Sequence, residues 1–508
     1  MMALTPYINI INGETVRLGK VPFLDFEEFR ETLLMLIEKG GRISSLFGMS
    51  SGNMKIRIFA IIARDRQGML CLFSTEVGDS YPSLTPDCEQ AQWFEREIAE
   101  QWGVRPEGHP WLKPIRFHHS YDKSKDAWGR KPDEEILPSV TDFYQVTGEE
   151  IHEVAVGPVH AGIIEPGHFR FQCHGETVFN LEISLGYQHR GIESKFVGGP
   201  AVKTIHLVET AAGDTSIGHS IAYCEAIESL SKCRVSLRAQ TIRGILLELE
   251  RLANHTGDIG AIASDVGYLP TSSYCGRIRG DFLNITGLVC GNRFGRNIIR
   301  PGGVNFDIDP EMKKEILKRL DAAFKDTLNA ANLLWESPSI LSRFEECGTL
   351  GSGLCRKLGI VGPPARACGV EQDVRFDLPS GLYRFAQIPV STYHTGDVFS
   401  RAFVRMLEIR NSVKFIREQL ESIPEGKIME ECGKPQADSM TVSLAEGWRG
   451  EICHVAITDS EGRFAHYKIV DPSFHNWFGL ANVLKNETIY NFPLCNKSFN
   501  LSYCGHDL

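Results

Sequence analysis

What the chain lacks narrows its function first. None of its 14 cysteines stands in a C-x-x-C pair, and the closest two, Cys347 and Cys355, are eight residues apart. Structural zinc sites and most iron–sulfur sites use close pairs, because a short turn aims two thiolates at one metal. Residues 1–21 hold no basic head followed by an apolar stretch, so no secretion signal is expected. The thiols are then expected to be buried small hydrophobes and not disulfides. No G-x-G-x-x-G opens a helix after a strand, and no Gly-Lys is followed by Ser or Thr. The chain therefore shows neither a dinucleotide fingerprint nor a phosphate-cradling loop. No apolar run approaches the roughly 20 residues of a membrane span. Basic charge is short as well: 54 Lys and Arg against 64 Asp and Glu leave a net charge of −10. That argues against nucleic acid or an anionic membrane surface as the main partner.

What is present reads as an α+β chain long enough for about two or three domains. Leu24, Phe26, Phe29, Leu33, Leu34 and Ile37 recur at helical spacing until Gly40 and Gly41 stop the helix. The β-rich runs 55–63 and 69–75, joined by a turn at 65–68, predict a hairpin. The amphipathic segment 89–102 carries Glu95-Arg96-Glu97 and leads to Gly108-His109-Pro110. Residues 120–138 are polar and bracketed by prolines, which marks a linker. We divide the chain into a small α/β docking domain at 1–119, a linker at 120–149 and a large, mainly helical domain at 150–508.

The large domain opens on period-two patterning. Phe169, Phe171 and Cys173 alternate, Gly175 and Glu176 turn, and Phe179, Leu181, Ile183 and Leu185 alternate again, predicting an antiparallel hairpin. Further on, Ile242, Ile245, Leu246, Leu249 and Leu252 stripe one helix.

Several strings now point together. The Glu95-Arg96-Glu97 helix followed by Gly108-His109-Pro110 resembles the 30-kDa subunit family of respiratory complex I, although an acidic residue usual soon after the triplet is replaced around Ala99 and Glu100. Its role is expected to be structural docking. Residues 186–193, 247–255, 300–304, 362–367, 396–401 and 471–474 resemble, in the correct order, segments of complex I 49-kDa subunits and of nickel–iron hydrogenase large subunits. Fusion of the two types, with Glu165-Pro166-Gly167-His168-Phe169, resembles large subunits of membrane-bound, energy-converting hydrogenases of the formate hydrogenlyase kind.

Against that resemblance, the metal motifs are incomplete. Residues 209–220 resemble E-R-x-C-G-x-C-x-x-x-H-S, with Ala212 and Thr215 on the cysteine positions. Residues 500–508 stand where the family has D-P-C-x-x-C-x-D-R, with Ser502 and Gly505 on ligand positions and Cys504 one step out of register. Soft thiolate sulfur is what holds nickel there, so the resemblance implies a branch in which this chain binds no metal. The sequence ends at Leu508, just past the second motif, so no tail of the kind many relatives lose after metal insertion is expected. In complex I a histidine of the first hairpin loop, for which His168 or His160 stands here, joins a tyrosine of an R-x-D-Y string at the quinone. That string falls on residues 210–213, which contain no tyrosine.

Ala212, Thr215 and His219 fall at i, i+3 and i+7 and are expected on one helix face. His219 reads either as a hydrogen-bonded core histidine or, with Asp214, as part of a polar chamber that binds a small redox ligand or relays protons. The resemblance makes Arg366 a cavity cation and Asp507 a C-terminal anchor through an ion pair. It further implies no cofactor bound directly except a possible quinone. The partners implied are a small subunit of the complex I 20-kDa/hydrogenase type with a 4Fe-4S cluster, and antiporter-like membrane subunits. The chain would sit peripherally on the cytoplasmic side and couple electron transfer to ion movement. A quinone reductase with a rearranged cavity and an inert scaffold are the alternatives.

Overall fold

The computed structural model describes residues 6–52, 54–160 and 164–508. The first helix, Phe26–Glu38, starts where Asp25 accepts a hydrogen bond from the Glu28 amide at 2.9 Å, a side-chain cap that satisfies an orphan donor. Phe29, Leu33 and Leu36 face inward onto an antiparallel sheet ordered Ile8–Ile10, Met69–Val77, Lys55–Arg64, Arg42–Gly52. The predicted hairpin is its centre. Phe59 to Ala63 are buried without interruption, so both faces of this sheet are covered, unlike a strand with one wet face. Part of the cover is the large domain: His466 stacks on Phe47 at 5.1 Å.

The charged triplet is not a solvated face. Glu95 accepts from the Leu84 and Thr85 amides and two hydroxyls. Arg96 donates to the Lys113 and Pro114 carbonyls, both at 2.9 Å, tying its helix to the Gly-His-Pro segment. Glu97 reaches out of the domain, pairing with Arg116 and, at 2.5 Å, with Lys468. Lys468 also meets Glu193 at 2.9 Å, and Arg42 donates to Glu451 at 2.8 Å. The docking surface is thus built of buried ion pairs.

The chain weaves between the two units. Ile8–Ile10 belongs to the first sheet, yet Thr15–Arg17 pairs with residues 439–441 at the edge of a second sheet ordered Phe464–Val470, Gly450–Thr458, Ser439–Gly447, Thr15–Arg17. Residues 120–149 are largely exposed but fastened at points: Tyr121 packs on Trp102 at 5.6 Å, and Lys125 pairs with Asp79.

In the large domain the predicted hairpin is His168–His174 with Thr177–Ser184. A third strand, Ile151–Val156, lies beside it, which the pattern does not reveal because none of its residues is fully buried. A bulge between Val178 and Asn180 turns Phe179 outward, 41% exposed, and buries Val178 in its place. The expected alternation is broken there. The helices Ser216–Leu230, Leu237–Asp265, Leu269–Cys290, Pro310–Trp335 and Val398–Glu421 form the body. Leu237–Asp265, 29 residues long, is buried on every side through most of its length, so the single predicted stripe understates its role.

Removing Glu97 leaves Arg116 and Lys468 buried without that carboxylate. We predict that Glu97→Ala lowers stability in urea unfolding by about 3–5 kcal/mol, whereas Glu315→Ala on an exposed helix face leaves the midpoint unchanged. A wild-type midpoint for Glu97→Ala would refute the ionic docking.

Candidate functional site

The two segments with displaced cysteines meet in space. Loop 209–215 links the short helix Thr204–Val208 to Ser216–Leu230, and the C-terminal residues lie against it. Arg190 clamps them together, donating to the Thr210, Ala211 and Cys504 carbonyls at 2.5, 3.0 and 3.0 Å. Asp507 is fully buried and accepts from the Gly186 and Gln188 amides at 2.8 and 2.9 Å. It anchors the C-terminal segment as expected, but by capping backbone amides of a tight turn and not through an ion pair. Among the described residues the basic group within 4 Å is His506, at 2.9 Å, which burial pushes below the ordinary histidine range and leaves neutral at pH 7, while Arg116 acts on Asp507 from farther off. Gly186, at φ +96°, permits that turn.

Between these segments opens a cavity of about 450 Å³, walled by Asp214, Asn254, Asp258, Arg279, Arg449 and Ser502 among others. Arg449 projects from the hairpin turn between Ser439–Gly447 and Gly450–Thr458 and grips Asp214 with both nitrogens, at 2.6 and 2.9 Å. Its guanidinium lies 3.8 Å over the Trp448 ring, and Trp448 Nε1 donates to Thr215 Oγ1 at 3.1 Å. Burial pushes the Asp214 carboxyl up, but Arg449 outweighs it and holds the group below the usual carboxylate range.

Ala212 and Thr215 do not share a helix with His219. They sit in the loop, and the helix begins at Ser216; Gly213, a poor helix former, interrupts the run. His219 is fully buried behind the cavity wall, 3.1 Å from both Asp471 Oδ2 and His454 Nε2. His454 in turn meets the Tyr467 hydroxyl at 2.8 Å. Burial and His219 drive His454 well below the ordinary histidine range, so it is neutral at pH 7. Burial raises Asp471, yet the hydrogen bond from His219 prevails and holds the carboxyl below its ordinary range.

Gly505 is tightly enclosed. A Cβ there would stand 2.7 Å from Asp471 Cγ and Oδ2 and 2.9 Å from Ser502 Oγ. Ser502 Oγ accepts from the Gly505 amide at 2.9 Å, and burial pushes the neighbouring Cys504 thiol up to about 11.

The other expected residues disperse. His168 packs on Phe143 at 5.2 Å and accepts from Arg170, away from the cavity. His160 meets the Gly167 carbonyl at 3.0 Å and lines an adjoining, mainly apolar cleft of about 500 Å³ with Phe169, Phe492 and Tyr503. Arg366 is no cavity cation. It is fully buried in the core between Glu408, Glu446 and Asp373, at 2.8, 2.8 and 3.5 Å. The cavity's own cations are Arg449, Arg279 and Lys497. Sequence reasoning misses Arg449 because it belongs to no family string, although a charged residue in a hairpin turn between glycines is a visible signal. It also misses the role of Asp471, whose Asp-Pro order signals a helix cap: Oδ1 accepts from the Ser473 amide.

Because Asp214 titrates below its unfolded value near 3.9, its pairing with Arg449 stabilises the fold above about pH 4 and is lost as pH falls through the folded value. Asp214→Asn should therefore be less stable than wild type at pH 7, and the gap should narrow below about pH 4. A gap unchanged at pH 3 would contradict the assignment.

Two family models match: the respiratory-chain NADH dehydrogenase 30-kDa subunit over residues 26–145 and its 49-kDa subunit over residues 265–441. A carbon monoxide-induced hydrogenase of Rhodospirillum rubrum is 30% identical over 350 residues, covering 69% of this chain and 97% of its own. Formate hydrogenlyase subunit 5 of Escherichia coli is 26% identical over 488 residues, 92% of this chain and 85% of its own. Among solved structures, a chain of the membrane-bound sulfane sulfur reductase, an archaeal respiratory membrane complex, superposes with a TM-score of 0.67 at 21% identity, over 72% of this chain and 100% of that one. The fold, the order of motifs and these relatives agree: the chain belongs to the family of complex I 49-kDa subunits and membrane-bound hydrogenase large subunits, fused here to a 30-kDa-type domain.

Proposed function

We propose that this chain is a peripheral subunit of a membrane-bound, hydrogenase-related oxidoreductase complex that couples electron transfer to ion translocation without a nickel–iron centre. The observation that carries the last point is Gly505, where any side chain, a cysteine's included, would run into the Asp471 carboxylate. The other three positions support it. Ala212 has no donor atom, Thr215 Oγ1 is engaged by Trp448 and Arg449, and Ser502 Oγ caps its own short helix. A four-thiolate nickel site does not fit these residues.

In this reading the cavity is a polar, hydrated chamber facing a small subunit with a 4Fe-4S cluster. Arg449 and Asp214 orient a small polar ligand, and His219 holds a proton shared with Asp471. No helix among the described residues is long and apolar enough to cross a membrane, and in this reading membrane contact passes through antiporter-like partners. The cytoplasmic side is part of the same proposal. A quinone-reducing variant is favoured by one observation: Tyr503, whose hydroxyl has no partner among the described residues, lines both the cavity and the apolar cleft beside His160.

The test is affinity purification from native membranes with subunit identification, metal analysis and infrared spectroscopy. We expect an iron–sulfur small subunit, substoichiometric nickel, and no cyanide or carbonyl bands. Stoichiometric nickel with those bands would overturn the reading, as would a chain that purifies without an iron–sulfur partner.

A further inference from the structure

Five arginines among the described residues are less than 2% exposed: Arg116, Arg251, Arg366, Arg401 and Arg405. Four of them pair with carboxylates. Arg401, on the helix Val398–Glu421, does not. Its three donations go to neutral oxygens, Ser498 Oγ at 2.8 Å, the Gly396 carbonyl at 2.7 Å and the Gly348 carbonyl at 3.0 Å. The carboxylate one turn back, Asp397, is occupied elsewhere: it accepts from the Ser400 amide and hydroxyl, from Thr395 and from the Glu346 amide. Asp397 acts on Arg401 through its charge alone, without direct contact, and a buried guanidinium that touches no carboxylate is expensive.

Besides these oxygens and the Phe499 ring, 4.6 Å away, Arg401 has sulfur near it. Cys347, Cys368 and Cys495 are the thiols within reach of its charge. The space above the Gly348 Cα shows how close they come, since a Cβ there would lie 2.5 Å from Cys495 Sγ and 3.2 Å from Arg401 Nη2. Cys347 and Cys495, 148 positions apart in sequence, face each other with their sulfurs 3.9 Å apart. The hydrogen bond between them holds the Cys347 thiol below the usual range, aided by Arg401, and pushes Cys495 up. Arg401 favours the charged form of either sulfur, and the hydrogen bond between them lets one carry that charge while the other keeps the proton.

We propose that Cys347 and Cys495 form a redox-active dithiol, poised by Arg401, which a small hydroperoxide closes to a disulfide that pins the cavity wall. The Cys347 thiolate attacks one peroxide oxygen, the O–O bond breaks, and the departing oxygen leaves as water, giving a sulfenic acid. The Cys495 sulfur then attacks the Cys347 sulfur, the S–O bond breaks, and a second water leaves. Two thiols lose two electrons and two protons, and one hydrogen peroxide takes them up to become two waters. Closing from the present separation to a bond of about 2.05 Å needs side-chain rotation and a small shift of the turn. That turn is short, with Glu346 and Gly348 both at positive φ. Cys495 sits on the helix Phe492–Phe499, which carries the cavity residues Asn496 and Lys497 and runs directly into Asn500 to Cys504. A cross-link at Cys495 therefore restrains the wall that faces Asp214 and Arg449.

The experiment treats the native complex with hydrogen peroxide near stoichiometry and maps peptides under non-reducing conditions. The expected result is a 347–495 cross-linked peptide that dithiothreitol reverses and that Cys495→Ser lacks. Amide hydrogen exchange across residues 492–504 should slow several-fold in the oxidised form. Arg401→Gln, folded by circular dichroism, should cross-link at least several-fold more slowly. The proposal fails if Cys347 goes to sulfinic acid without a cross-link, if more exposed thiols such as Cys233 oxidise while this pair stays reduced, or if exchange in 492–504 is unchanged by a cross-link that does form.

Discussion

Arg190 is the residue on which the site's geometry rests. One guanidinium takes carbonyls from residues 210 and 211 and from residue 504, segments distant in sequence. The Arg190 amide adds a bond to the Leu508 carbonyl at 3.0 Å. Carbonyl oxygens of irregular loops have no ladder to satisfy them, and burying them unpaired would be costly. One planar, permanently charged group serving three of them holds both loops in a single register. Asp507 does the complementary work for amides of the neighbouring turn. With both in place, the C-terminal residues become an interior wall, and the cavity takes the form of a gap between two fixed edges.

Charge is handled in two ways inside this molecule. Deep in the core, Arg251, Arg366 and Arg375 interleave with Glu248, Asp373, Glu408 and Glu446 in one connected set of ion pairs in which every charge has an opposite neighbour. Such a set does little for net stability but permits few alternative arrangements. At the cavity the pairing is open on one side. Asp214 is about one-third exposed while Arg449 is nearly covered, so the carboxylate keeps one edge toward the chamber. The first arrangement fixes the scaffold, and the second leaves a charge available to whatever enters.

The fold is legible in the sequence wherever a local rule applies. The hairpin built on Lys55–Arg64 and the helix stopped before Gly40 follow from spacing and turn residues, and the motif order carries the family. The site is less legible because its side chains come from different sequence distances. Asp214 stands out within its own motif, but its partner Arg449 lies 235 residues away, and no periodicity links them. His219 reads as a histidine that needs partners; that these are His454 and Asp471 is a fact of sheet packing. Arg366 is misplaced by the resemblance, which assigns it the space near a relative's metal, whereas here three carboxylates hold it in the core. A spacing count that reads the cysteines as isolated cannot see Cys347 opposite Cys495, since that contact exists only after folding.

The strand Thr15–Arg17 carries one more consequence. It completes the edge of a sheet whose other strands come from residues 439–470, while residues 8–10, just before it, complete the first domain's sheet. The two units are therefore sewn together twice, once through the linker and once through this crossing. A polypeptide cut within residues 120–149 would yield two pieces, neither with a finished surface: the larger would expose a bare strand edge open to mispairing, and the smaller would carry a stray strand with nothing to join. Fusion on one chain thus guarantees that the missing edge is supplied in equal number and at high local concentration.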